Sequence, residues 1–112
     1  MNLVESKIGD VCVVTIDGDV DAGTAPEVEQ RLRALIRSAE RKLVLDLGAV
    51  PYVSSAFLRV VLSMARNIRQ QGGDLRLANL QPPVQAVFDL AGFSELFEIY
   101  DDMHAAVASY QA

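Results

Sequence analysis

The sequence predicts one α/β domain over residues 1–112, built on a small mixed β-sheet with its helices largely on one side. Three observations support this prediction. Residues 43–47 form a nearly continuous apolar run, which is typical of a strand buried on both faces. Strand-like and helix-like segments follow one another in the order ββαβαβαβα, which favours parallel strands joined by crossovers. Four helices are too few to cover both faces of a wide sheet, so we expect most of them on one face.

The N-terminus is expected to form an antiparallel edge of this sheet. Residues 3–8 and 11–16 are β-rich, and Gly9-Asp10 separates them in the manner of a two-residue hairpin. Cys12 lies in the second of these strands. Because the chain has no other cysteine, it cannot form an internal disulfide, and we expect an inert structural thiol.

A capping-box motif predicts the start of the first helix. Thr24 is followed three residues later by Glu27, and Pro26 is tolerated in a first helical turn. Apolar residues at helical spacing then define the buried side of the helix. These residues are Val28, Leu32, Leu35, Ile36 and Ala39.

A turn and a second helix follow the central strand. Pro51 biases Val50 away from helical conformation, so the helix begins later, at Ser54 or Ser55. A serine hydroxyl at that place can accept a hydrogen bond from an unpaired N–H group of the first turn. The main apolar side of the helix consists of Leu58, Val61, Leu62, Ala65 and Ile68.

The C-terminal part is expected to contain two short strands and two helices. The strands are placed at residues 74–79 and 97–100. Pro82-Pro83 opens the third helix and Gly92 closes it. Asp101 or Asp102 is expected to cap the last helix.

The composition argues against several classes of partner. A net charge of −5 disfavours binding to nucleic acid or to an anionic membrane surface. The apolar runs are too short to span a bilayer, and the N-terminus does not have the pattern of a signal peptide. We therefore expect a cytoplasmic protein. A local group of basic residues is interpreted as a solvated face: Arg31, Arg33, Arg37, Arg41 and Lys42.

The acidic residues of the turn after the second strand do not predict a metal site. Asp17, Asp19 and Asp21 alternate, but a calcium loop that begins at Asp17 needs glycine and glutamate where the chain has Ala22 and Val28. The expected structure is a solvated turn, and we expect no metal and no cofactor.

An enzyme is also not expected. Ser55, His104 and an aspartate could form a hydrolase triad on paper, but the chain lacks the Gly-x-Ser-x-Gly motif of a nucleophile elbow. It also lacks a glycine-rich phosphate-binding loop, so it would be the substrate of a kinase and not a kinase itself.

Four segments, in the right order, resemble one known family. The run from Asp46 to Val60, with Tyr52-Val53-Ser54-Ser55-Ala56 at its centre, resembles the phosphorylation segment of bacterial anti-sigma-factor antagonists, the STAS-domain family. Gly18-Asp19-Val20-Asp21 resembles the family's loop before the first helix. Gly72-Gly73-Asp74-Leu75 and Phe88-Asp89-x-x-Gly92 resemble its second half. The resemblance covers nearly the whole chain.

The resemblance implies a protein that regulates bacterial transcription by switching partners. An antagonist of this family binds an anti-sigma factor that is also a serine kinase of the histidine-kinase-like ATPase fold. Phosphorylation of one serine breaks the complex, and a serine phosphatase restores it. By position the phosphoacceptor is Ser55, or with less support Ser54, which would then be the N-cap. The candidate partner-binding residues are Asp21, Ser54 and Ser55 by this resemblance, and Phe57, Val60 and Met64 by their position on the helix.

Phe57 is the main departure, because the family usually has glycine there. With Val60 and Met64 it forms a second apolar stripe on the helix, which is either covered by neighbouring helices or exposed to a partner. Since the fold should not need a side chain where glycine is usual, we expect Phe57 to be a partner-binding anchor. The alternative function is a STAS-type scaffold that binds its partner constitutively.

Overall fold

The fold is a five-stranded sheet with strands in sequential order, β1-β2-β3-β4-β5, in a computed structural model that describes residues 1–111. β1 and β2 are antiparallel, and all later neighbours are parallel. The predicted mixed sheet and element order are therefore confirmed. The strands are β1 (Asn2–Ile8), β2 (Val11–Asp17), β3 (Lys42–Ala49), β4 (Asp74–Ala78) and β5 (Ile99–Tyr100).

Three of the four helices cover one face of the sheet, as the sequence predicts. They are α1 (Ala25–Arg37), α2 (Ser55–Gln70) and α3 (Pro82–Leu90), and their buried residues share one large core with β2, β3 and β4. The fourth, α4 (Met103–Ser109), packs on the opposite face against a smaller cluster that includes Val13 and Val44. A short 3₁₀ helix, Phe93–Glu95, precedes β5.

The position of β3 in the middle of the sheet explains why residues 43–47 form an apolar run. Leu43, Leu45 and Leu47 belong to the core under the three helices, whereas Val44 belongs to the cluster under α4. In register, Leu45 lies between Val14 of β2 and Leu77 of β4. Because both faces of β3 are covered, the strand has no solvent-facing side that would call for regular polar alternation.

The expected partner-binding anchor at Phe57 is wrong. Phe57 is 0% exposed, Val60 6% and Met64 1%, so the second stripe of α2 belongs to the core. The physical reason is that α2 packs on the sheet against β4 and is covered on its Phe57 side by α3, where the ring of Phe88 is 6.5 Å from that of Phe57. The aromatic contacts continue from Phe88 to Phe93 and from Phe93 to Phe97.

Some local predictions need correction. Thr24 is the N-cap residue of α1, but its side chain makes no capping hydrogen bond, so the predicted capping box is not formed. Ala39 lies beyond the end of α1, in left-handed conformation at φ 69°. The last strand is shorter than predicted, because the Phe97 amide donates to the Phe93 carbonyl at 3.0 Å in the helical turn that precedes β5.

Other local predictions are confirmed. Gly9 and Asp10 form the turn of the β1–β2 hairpin, and Pro82 begins α3. The side chain of Asp102 caps α4 by accepting a hydrogen bond from the amide of Ala105 at 2.8 Å. Cys12 is buried in β2, and burial raises the pKa of its thiol, which keeps it protonated and unreactive.

Candidate functional site

The candidate site lies where the loops after β2 and β3 meet, at the carboxyl ends of the parallel strands. Backbone hydrogen bonds join the two loops: the Val20 amide donates to the Tyr52 carbonyl at 3.0 Å, and the Ser54 amide donates to the Val20 carbonyl at 2.9 Å. Val20 and Val53 thereby form an isolated parallel bridge. This edge is where open α/β sheets usually place their sites. The bridge holds the acidic turn beside the start of α2.

Ser54 has a structural role in this site. Its backbone is extended, at φ −98° and ψ 168°, and its Oγ accepts a hydrogen bond from the amide of Phe57 at 3.3 Å. It is therefore the N-cap of α2, the role expected for it. Because its hydroxyl is engaged and only partly exposed, Ser54 is the less accessible of the two serines.

Ser55 is the first residue of α2 and is exposed. Within residues 1–111 its hydroxyl makes no hydrogen bond to the protein, so it is available to a partner or an enzyme. The first turn of a helix carries unpaired N–H groups and the positive end of the helix dipole, both of which favour a negative group at this place. The arrangement can therefore hold a phosphate on Ser55 without disturbing α2.

Asp21 shapes the neighbouring turn. Its Oδ1 accepts hydrogen bonds from the amides of Gly23 and Thr24, both at 2.9 Å, and from the Thr24 hydroxyl at 3.1 Å. These bonds, above all the one from the Thr24 amide, stabilise the carboxylate and lower the pKa of Asp21. The exposed carboxylate thus supplies hydrogen bonds that the capping box was predicted to make. Since Val20 bridges to Val53, the structure brings Asp21 and the two serines to one edge of the sheet.

Replacing Asp21 by asparagine is expected to lower the Tm, and the deficit should be pH-dependent. The pKa of Asp21 is depressed in the folded protein, so its contribution is present above the pKa of the unfolded chain and is lost as the pH falls through the folded value. We expect the Tm gap between parent and Asp21→Asn to be largest near about pH 7 and to narrow towards about pH 3. Circular dichroism melts across this range measure it.

Asp19→Asn is the matched control for that experiment. Asp19 is exposed in the same turn, and its side chain makes no hydrogen bond within residues 1–111, so this variant should follow the parent at every pH. A Tm gap for Asp21→Asn that stays constant from neutral to acidic pH would show that the turn does not depend on the charge of Asp21.

The remaining candidates are not part of an exposed site. Phe57, Val60 and Met64 lie below the surface, as described above. His104 is on α4, on the opposite side of the sheet from Ser55, so the hydrolase triad considered from the sequence is not assembled. Among residues 1–111, the structure places no three histidine, cysteine or carboxylate side chains in a group that could hold a metal ion.

Tyr52 is a site residue that sequence reasoning did not single out. Its side chain is 53% exposed, and its carbonyl receives the Val20 amide in the bridge between the loops. An aromatic residue directly after Pro51, in a turn beside two serines, was the available signal. Exposed aromatic rings are frequent contact residues at protein interfaces.

These features define a STAS domain. The sequence profile described as STAS domain matches residues 3–106, and the chain belongs to this family. Its fold class, its strand order and its serine-capped second helix agree with that membership.

Within this family, the chain is similar to proteins named as anti-sigma factor antagonists. The chain is 39% identical over 111 residues to a protein of Bordetella bronchiseptica named "Putative anti-sigma factor antagonist BtrV", with 99% of this chain and 96% of that protein covered. An anti-sigma factor antagonist from Mycobacterium paratuberculosis has a similar crystal structure, with a TM-score of 0.92 at 22% identity, covering 99% of this chain and 94% of that one. The Bacillus cell fate determinant SpoIIAA in its phosphorylated form has a TM-score of 0.77 at 14% identity, covering 97% and 99%.

None of the helices in residues 1–111 is both long enough and apolar enough to cross a membrane.

Proposed function

We propose that this protein is an anti-sigma-factor antagonist of the bacterial cytoplasm, a binding protein without catalytic activity. In its unphosphorylated form it binds an anti-sigma factor with the surface around Asp21, Tyr52 and Ser55. The anti-sigma factor is a serine kinase of the histidine-kinase-like ATPase fold, and it ends the complex by phosphorylating Ser55. A serine phosphatase then restores the binding form.

The observation that carries this proposal is that the two serines have different roles in the structure. Ser54 caps α2 through its hydroxyl, whereas the Ser55 hydroxyl is exposed and has no hydrogen bond within residues 1–111. A modification of Ser55 therefore leaves the cap intact. The name of the relative BtrV and the existence of a phosphorylated form of SpoIIAA support the same function.

The charge of a phosphate accounts for the switch. Phosphorylation adds about −1.5 to −2 charges, which the first turn of α2 tolerates because of its N–H groups and dipole. The fold is therefore kept. In a complex the same charge would have to be desolvated against the partner, which is costly unless the partner supplies cations. Binding is lost although the domain remains folded.

Burial of Phe57 favours switching over the constitutive scaffold. A constitutive scaffold would be favoured if the ring of Phe57, two residues after Ser55, obstructed access of a kinase to the serine. The ring lies in the core against α3 and is 0% exposed, so it leaves the Ser55 hydroxyl uncovered.

The proposal is tested by calorimetric titration of the purified protein with the anti-sigma factor kinase of the same bacterium. The unphosphorylated protein should bind, and the protein phosphorylated with ATP and that kinase should bind at least about tenfold more weakly, which corresponds to about 1.4 kcal/mol. Peptide mass spectrometry should place the phosphate on Ser55. Absence of binding by the unphosphorylated protein would refute the proposed function, and equal binding of both forms would favour the scaffold.

A further inference from the structure

The cations of this chain fall into two groups, those with partners and those without. The chain has 10 lysines and arginines. Arg41 donates hydrogen bonds to the Ile36 and Glu40 carbonyls and to Gln71. The ion pairs are Lys7–Glu40, Arg31–Glu5, Arg33–Glu29, Lys42–Asp10, Arg69–Asp74 and Arg76–Asp74. Within residues 1–111, Arg37, Arg59 and Arg66 have neither an ion pair nor a side-chain hydrogen bond.

All three of these arginines line one groove between α1 and α2. The groove consists of three adjoining hollows of about 300, 430 and 210 Å³. The first two share Arg59 and Ser63, and the last two share Arg33 and Asn67, so the hollows are continuous. We call this surface the arginine groove. It contains Arg33, Arg37, Arg59 and Arg66, with Glu29 as its acidic residue.

The arginine groove begins beside the proposed phosphoacceptor. Ser55, Arg59 and Arg66 are spaced four and eleven residues apart on α2. At 3.6 residues per turn, both arginines lie within about 40° of Ser55 around the helix axis. The α1 side of the groove supplies Arg33 and Arg37, which are also one helical turn apart. A partner seated in the groove would therefore lie about one helical turn from Ser55.

The charge of the groove is opposite to that of the protein. The chain carries a net charge of −5, yet the groove combines four arginines with one glutamate, which is already paired to Arg33. The cations outside the groove are bonded elsewhere on the surface, whereas three of the four groove arginines have no carboxylate partner within residues 1–111, so this strip is positive. Arginine offers a planar set of donors that matches a carboxylate in a bidentate pair. The expected ligand is a protein segment rich in Asp and Glu.

We propose that the arginine groove binds an acidic segment of the anti-sigma factor, so that the interface extends from Ser55 along α1 and α2. This inference rests on the proposed function, because it names the partner surface of that same complex. A nucleic acid is the other polyanion that such a groove might suggest, but the overall negative charge of the protein opposes it.

The test uses the double variant Arg59→Gln/Arg66→Gln in the full chain, titrated with the anti-sigma factor kinase of the same bacterium. Both side chains are exposed on the polar side of α2, so the Tm should stay near that of the parent. We expect affinity to fall at least about tenfold at low salt, and the dependence of log Kd on log salt concentration to become shallower.

Arg31→Gln is the matched control. It removes one positive charge from α1 but lies outside the groove and is paired to Glu5 on the strand side. It should change the affinity by less than about twofold. If the parent binds and phosphorylation releases it while the double variant binds as tightly as Arg31→Gln, the groove inference alone fails. If the parent does not bind the kinase, the proposed function fails and the groove inference with it. Binding of a short DNA duplex by the parent that is lost in the double variant would overturn the groove inference in favour of nucleic acid.

Discussion

Replacing Phe57 by alanine is expected to lower the free energy of unfolding by about 3 to 5 kcal/mol. The side chain is 0% exposed in the core between α2 and α3, so its loss removes buried apolar contacts and leaves a cavity. A domain of this kind has only about 5 to 15 kcal/mol of stability, so the variant should be close to unfolding at physiological temperature. Urea denaturation followed by circular dichroism measures the change.

Leu90→Ala is the control for this prediction. Leu90 is 90% exposed on α3, so truncating it should change stability by no more than about 0.5 kcal/mol. If Phe57→Ala instead melts with the parent and loses affinity for the anti-sigma factor, the Phe57 side chain contacts the partner, as the sequence suggested, and does not stabilise the core.

The contrast over Phe57 shows what sequence reasoning misses in a central helix. The helical spacing of α2 predicted its apolar face in part: Val61, Ala65 and Ile68 are buried, whereas Leu58 and Leu62 are only partly buried. Whether a second stripe is covered depends on α3, whose Phe88 is far along the chain from Phe57. Periodicity reports on the element itself and contains no information on which neighbours flank it.

The fold as a whole could be predicted more fully than the burial of Phe57, because most of its sequence signals are local. The apolar run of β3, the hairpin at Gly9-Asp10 and the prolines before α3 are local signals with local causes, and each is confirmed at its place in the chain. The capping box at α1 is not formed because Asp21 engages Thr24 instead. The Asp21 carboxylate accepts the Thr24 amide, which the Glu27 side chain would accept in a capping box, and the Thr24 hydroxyl is bonded to Asp21. Sequence spacing alone does not reveal this competing acceptor.

The basic residues illustrate the same limit for the candidate site. From the sequence, Arg31, Arg33, Arg37, Arg41 and Lys42 look equivalent, as one solvated face. The structure separates them, because Arg31 reaches Glu5 on β1 and Lys42 reaches Asp10 in the hairpin turn. Arg37 instead joins Arg59 and Arg66 in the arginine groove. Such a grouping depends on which carboxylates the fold brings near each cation.

Ser55→Ala is expected to abolish phosphate uptake while it preserves the fold and the affinity for the anti-sigma factor. The Ser55 hydroxyl makes no hydrogen bond within residues 1–111, so no intramolecular bond is lost, and alanine is a good helix former at the first position of α2. The variant should therefore remain in the binding form when kinase and ATP are present. Intact-protein mass spectrometry and calorimetric titration after incubation with both measure the two effects.

Two further serine variants distinguish the acceptor from its neighbours. Ser54→Ala removes the Oγ that accepts the Phe57 amide, so it should cost about 1 kcal/mol of stability and still take up phosphate. Ser6→Ala removes an exposed hydroxyl from β1, outside the arginine groove, and should leave both stability and phosphorylation unchanged. Phosphate on Ser54 in the Ser55→Ala protein would place the acceptor one residue earlier. That outcome would place the phosphate on the oxygen that accepts the Phe57 amide, so the cap of α2 would itself be modified.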